Sequence, residues 1–180
     1  MKRHRVMIVG ANALIVALAC ASGLMSNAAD IPQALTVPAG QKLSLEAHAT
    51  GVQIYECKAN KDDPKRFEWT FKAPEAQLFD AAGKGIGKHY AGPTWESNDG
   101  SKVIGEVKVK DPGPDPASIP WLLLSAKPTT GNGVFAGTQS IQRVHTSGGN
   151  APAAGCDPAN ASKEARVPYK AIYRFYGVGQ

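Results

Sequence analysis

The chain has 180 residues, of which 43% are hydrophobic and 19% charged, and 20 Lys+Arg against 15 Asp+Glu give a formal charge of +5. Three of those cations, Lys2, Arg3 and Arg5, crowd the first five positions; without them 17 cations face 15 anions, a charge of +2. So even a surface argues against a nucleic-acid-binding protein, which would carry a basic stripe.

From the N-terminus, the basic MKRHR precedes the apolar run VMIVGANALIVALA, and Ser26-Asn27-Ala28 offers the small residues a signal peptidase reads. This pattern predicts a secretory signal peptide over residues 1–28 and a secreted or periplasmic protein. The alternative is a permanent anchor, but the run is short for a span and is interrupted by Gly10 and Asn12. A second alternative is a lipid anchor on Cys20, because Leu18-Ala19-Cys20 resembles the end of a lipobox; Ala17, in place of Leu, argues against it. Residues 29–180 make up one domain's worth of chain, long enough to bury a core, with no membrane span.

The rest reads as strands. Leu43, Leu45 and Ala47 alternate with polar residues, as do Val52 and Ile54 with Gln53 and Tyr55. Phe67, Trp69 and Phe71 follow the same period of two, then Val103, Val107 and Val109, and finally Tyr169, Ala171, Tyr173 and Phe175. Period two marks half-buried strands. The continuous run Trp121-Leu122-Leu123-Leu124 predicts a strand covered on both faces. Trp69, Phe71, Trp121, Leu123 and Tyr173 are therefore predicted core, and Lys102, Lys108 and Lys110 a solvated face. Only ASKEA, residues 161–165, suggests a helical turn.

Asp80-Ala81-Ala82-Gly83 and Asn98-Asp99-Gly100 have hairpin-loop chemistry. DPGPDPASIP, residues 111–120, cannot pair inside a sheet, and a second long Pro/Gly-rich loop runs from Gly148 to Ser162. Many short strands separated by turns predict a mainly β, single-domain antiparallel sandwich or barrel over residues 29–180. Cys57 and Cys156 survive removal of the leader, and no Cys-x-x-Cys is present, so one disulfide is predicted.

Several motifs agree in order with a known family: KAPEAQLFDAAGKGIGKHYAGPTWESNDGSKV, IPWLLLSA, IQRVHTSGG and VPYKAIYRFYG. From about Ile31 to Tyr176 the chain resembles a secreted bacterial and fungal family catalogued as domain of unknown function 3455. The resemblance implies an extracytoplasmic single domain and brings no activity with it.

HYAGPTWESNDGS, residues 89–101, is the densest cluster of chemistry-bearing side chains. His89, Asp99 and Ser101 are the residue types of a hydrolase triad, yet Gly-x-Ser-x-Gly is absent and Asp99-Gly100-Ser101 also suits a tight turn. His48, His89 and His145 lie on separate segments without metal-ligand spacing, so no metal or cofactor is predicted. Glu96, Asp99 and Glu106 are a carboxylate set of the kind glycosidases use, but Glu106 alternates with valines and reads as solvated. The favoured reading is a non-catalytic extracytoplasmic binding or envelope-associated protein for a small molecule or glycan. Its candidate ligand-binding residues are His89, Tyr90, Trp95, Glu96 and Asp99, with Trp95 as an inward anchor and His89 on the rim. The alternative is a secreted hydrolase using His89 with Asp99 or Glu96.

Overall fold

The computed structural model describes residues 31–178; the predicted leader and Cys20 lie outside the described residues. Eight strands follow in chain order: β1 (Gln41–Ala59), β2 (Phe67–Phe79), β3 (Gly85–Tyr90), β4 (Thr94–Ser97), β5 (Lys102–Asp111), β6 (Trp121–Ala126), β7 (Thr138–Gly148) and β8 (Glu164–Val178). Each pairs antiparallel with the next, and β8 pairs back onto β1, closing a barrel. Of the two predicted architectures the molecule takes the barrel, in which the sheet closes on itself.

Alternation along the strands fills the interior. Ala47 and Ala49 of β1, Ala76 and Leu78 of β2, Trp95, Val103, Leu122, Leu124, Ile141, Tyr173 and Phe175 form one buried cluster. Gly105 of β5 supplies space rather than bulk: a Cβ there would come within 3.0 Å of the Trp95 ring and 2.9 Å of Leu124. Phe135, from the loop between β6 and β7, plugs one end with its ring 4.7 Å from that of Phe175.

The run Trp121–Leu124 is covered on both faces, as the sequence predicts. Leu122 and Leu124 point inward. Trp121 and Leu123 point outward, under Ile31 and Leu35 of the N-terminal segment, which closes with the short 3-10 turn Gln33–Leu35. Gln142 Nε2 donates to the Leu35 carbonyl at 2.7 Å and ties that segment to β7.

Two register shifts correct the sequence reading. On β5 the pairing slips between Val107 and Val109, so Val107 faces inward, Val109 joins the outer cluster, and Lys110 sits opposite inward-facing Leu122. Lys110 therefore does not share a solvated face with Lys102 and Lys108. On β1 and β2 the pairing slips at Ile54/Tyr55, and residues 67–75 of β2 run past the end of β3. Phe71 lies on that projecting arm and is 51% exposed, and Trp69 is only half-buried; neither is core. Leu123 is likewise half-buried rather than interior. The helical turn expected at residues 161–165 falls earlier, at Pro158–Asn160, and Glu164 already belongs to β8.

Cys57 and Cys156 form the predicted disulfide, with Cα atoms 5.3 Å apart. It ties the loop after β7 to the β1–β2 arm, and Trp69 Nε1 donates to Ala154 O at 2.9 Å in the same contact.

Candidate functional site

The barrel is plugged at the Phe135 end and hollow toward the other. A cavity of about 460 Å³ opens between the β1–β2 arm, the turn at Gly92-Pro93 and the loop carrying Ile119 and Pro120. That volume lies within the range of small-molecule sites, and an eight-stranded barrel is the size that holds one small ligand. Its walls are largely apolar, with Leu122, Leu124 and Val107 on one side and Trp95 and Tyr173 deeper in.

The pleat decides which members of the 89–101 cluster reach this cavity. His89 and Trp95 are cross-strand partners on β3 and β4, and both point inward. Their rings stack with centroids 4.3 Å apart, and the edge of Trp95 meets Tyr173 at 5.2 Å. His89 is 3% exposed, so it is not a rim residue; the reading of Trp95 as an inward anchor stands. Their neighbours in sequence point the other way. Tyr90 donates its hydroxyl to Glu96 at 2.7 Å on the outer wall, where Glu96 also faces Lys88 and Lys102. Asp99 lies at the plugged end of the barrel. It accepts hydrogen bonds from the Ser101 hydroxyl at 2.6 Å and from Val134 N at 2.8 Å, fastening the Phe135 loop to the β4–β5 turn.

The five candidate ligand-binding residues therefore divide between the cavity, which takes His89 and Trp95, and the outer wall and far end, which take Tyr90, Glu96 and Asp99. Asp99 and Ser101 meet each other but not the imidazole, so no triad assembles. His48 faces Glu46 outside the barrel, and His145 meets Trp121 edge-on, with ring centroids 5.0 Å apart. The three histidines do not converge, and no group of three metal-ligating side chains is found among the described residues.

His89 Nδ1 lies 2.8 Å from the Thr94 carbonyl oxygen. A carbonyl only accepts, so Nδ1 carries the proton and Nε2 keeps its lone pair. Burial pushes the imidazole pKa down from 6.5 to about 3; the Thr94 bond opposes this shift, and the nearby Arg143 adds to it. His89 is thus a neutral ring at physiological pH. Asp99, held by Ser101 and by the Val134 and Ser101 amides, is pushed down to about 2 and stays ionised.

The strongest polar group of the cavity, Arg143, lies outside the 89–101 cluster and is not among the residues predicted from sequence. Its partner across the ladder is Tyr173, whose side chain points inward. Arg143 Nε and Nη2 both donate to Pro120 O, at 3.1 and 2.8 Å, which fixes the loop at the mouth. Among the described residues no Asp or Glu lines the cavity, and Arg143 has no carboxylate partner. Gln53, 2% exposed, lines the same space, and its amide nitrogen is left without a hydrogen bond, as is the Trp95 indole nitrogen. The Tyr169 hydroxyl is near enough to Gln53 to feel it, yet the two form no well-made bond. Tyr55 donates to Gly149 O at 2.7 Å and closes the wall beside the disulfide loop.

Residues 38–177 match the family model described as Protein of unknown function (DUF3455). The chain belongs to that family. No curated protein and no solved structure matches it. No helix among the described residues is long and apolar enough to cross a membrane.

Proposed function

We propose that this member of DUF3455 is an exported, non-catalytic binding protein that holds one small organic molecule inside its barrel. The supporting observation is the cavity itself: about 460 Å³, apolar-walled, open at one end, and lined by a few polar groups rather than a catalytic set. Catalysis by His89 with a carboxylate needs the two to converge, and Glu96 and Asp99 both lie outside the cavity. Export is supported by the leader-like N-terminus and by the disulfide, a bond that persists in oxidising compartments. A glycan on the outer wall is the weaker reading, because Trp95 is buried and Tyr90 is engaged with Glu96.

The test uses the neutral fluorophore N-phenyl-1-naphthylamine. Titration into the folded protein is expected to give saturable one-to-one uptake with a blue-shifted emission. Val107 lines the cavity but is 38% exposed, so Val107→Trp narrows the site without overfilling the core. That variant is expected to lose uptake while melting near wild type. Uptake that does not saturate, or that Val107→Trp leaves intact, places binding elsewhere and sinks the proposal.

A further inference from the structure

The apolar walls do not explain the polar groups within. Arg143 is half-buried in the cavity wall and has only neutral hydrogen-bond partners, and a charge drawn partly out of water gains from an opposite charge beside it. The Pro120 carbonyl takes two of its N–H groups, and the residue opposite Arg143 across the ladder is Tyr173. Arg143 is close enough to act electrostatically on Tyr55, His89 and Tyr173 together. Two further donors in the lining, Gln53 Nε2 and Trp95 Nε1, are buried without an acceptor. Buried donors without acceptors are rare in folded proteins, and each one calls for an explanation. Arg143, Gln53 and Trp95 thus line one cavity in which, among the described residues, no Asp or Glu takes part.

We infer that the ligand is an organic monocarboxylate, its anionic head held by Arg143 and Gln53 and its apolar body packed against Leu122, Leu124 and Trp95. A carboxylate has acceptor lone pairs enough for the guanidinium and for the Gln53 amide, and guanidinium–carboxylate pairs are among the stronger hydrogen-bonded contacts. Lys110 stands at the mouth with no carboxylate partner among the described residues, whereas Lys72 is paired with Glu164 at 2.6 Å. An approaching anion therefore meets Lys110 before it reaches Arg143. This inference rests on the binding reading above and names the class of ligand for that same cavity.

The body of such a ligand can be an aromatic ring or an alkyl chain, so the experiment carries both. Calorimetric titrations compare 2-naphthoate with 2-naphthamide, and octanoate with octanamide, against the full disulfide-bonded protein. In at least one pair the carboxylate is expected to bind tenfold or more tightly than its neutral amide, and that pair identifies the body. Arg143→Met is expected to abolish the preference of the carboxylate over its amide. Gln53→Leu, which leaves the Pro120 anchor intact, is expected to reduce the preference severalfold. The wild-type comparison does not depend on either variant folding. If the wild type takes up the neutral fluorophore yet prefers neither carboxylate, the anion inference falls and the binding reading survives, with Arg143 left as a clamp on Pro120. If the wild type takes up neither the fluorophore nor any of the four compounds, both fall.

Discussion

A buried neutral histidine makes stability depend on pH in a calculable way. His89 titrates at 6.5 when the chain is unfolded and at about 3 in the barrel, because burial beside Trp95 disfavours the imidazolium. Between those values the unfolded chain binds a proton that the folded one refuses, so stability rises with pH there. The contribution is intact above pH 6.5, declines as the pH falls, and is gone once the folded group itself protonates near pH 3. At ~1.4 kcal/mol per pH unit, wild type loses ~3 kcal/mol from this residue between pH 7 and pH 4. Other groups add to the slope: Asp99 and Glu96 are held below the ordinary carboxylate range, and His145 is lowered by burial. They are common to wild type and a His89 variant, so the difference isolates His89. His89→Asn keeps an N–H near the Nδ1 position for the Thr94 carbonyl but does not titrate. Urea unfolding of both proteins at pH 7, 6, 5 and 4 measures the effect. The variant is expected to be less stable at pH 7, having lost the stacked ring, and to lose ~3 kcal/mol less than wild type on acidification. Parallel stability–pH curves for the two proteins would show that His89 is charged or solvent-exposed in the folded state and would refute its placement inside the barrel.

Other consequences follow from the same architecture. Leu124→Ala opens a hole in the interior and is expected to cost ~2–5 kcal/mol by chemical denaturation, whereas Leu123→Ala, on the half-covered outer face, is expected to cost measurably less. Replacing Cys57 and Cys156 together by Ser removes a link between residues 99 apart in sequence, and a loss of ~2–5 kcal/mol in the same assay is expected. Because that link holds the loop beside Tyr55, the double variant is also expected to bind N-phenyl-1-naphthylamine more weakly. Asp99→Ala is expected to speed amide exchange at Val134, whose N–H donates to its carboxylate, and at Phe135, whose N–H donates to the Ser101 hydroxyl that the carboxylate holds, and to leave probe binding unchanged, since Asp99 is at the plugged end.

The strands were legible because most of them bury one face, and alternation reports that directly. β8 shows it best: Tyr169, Ala171, Tyr173 and Phe175 all point inward. Alternation failed where a register shift moved the inward face by one residue. A single extra residue on β5 turned Val109 outward and Lys110 inward, and no local propensity announces such a bulge. The β1–β2 arm misled for a different reason. Its aromatic period is real, but the neighbouring strand ends short, so Phe71 stands at an open mouth instead of in a core. In the cluster at 89–101, chemical density along the chain did not become density in space. A two-residue period sends His89 and Trp95 inward and Tyr90 and Glu96 outward, and the short hairpin carries Asp99 to the far end. The signal for Arg143 was present but masked: it follows Ile141 on the inward face, while Gln142 and Val144 of the outer face are covered by the N-terminal segment. With both faces covered, β7 shows no contrast from which an inward arginine stands out.

Nuclear magnetic resonance mapping of a bound ligand tests the barrel site most directly. Titration of the isotope-labelled protein with whichever carboxylate binds more tightly is predicted to shift the Trp95 indole N–H, the His89 ring protons, the Gln53 side-chain amide and the Arg143 Nε–H together, with one common dissociation constant. Tyr90, Glu96 and the 98–101 turn are predicted to move little. Shifts concentrated on that outer wall and turn, with the four interior groups unmoved at saturation, would contradict a ligand inside the barrel.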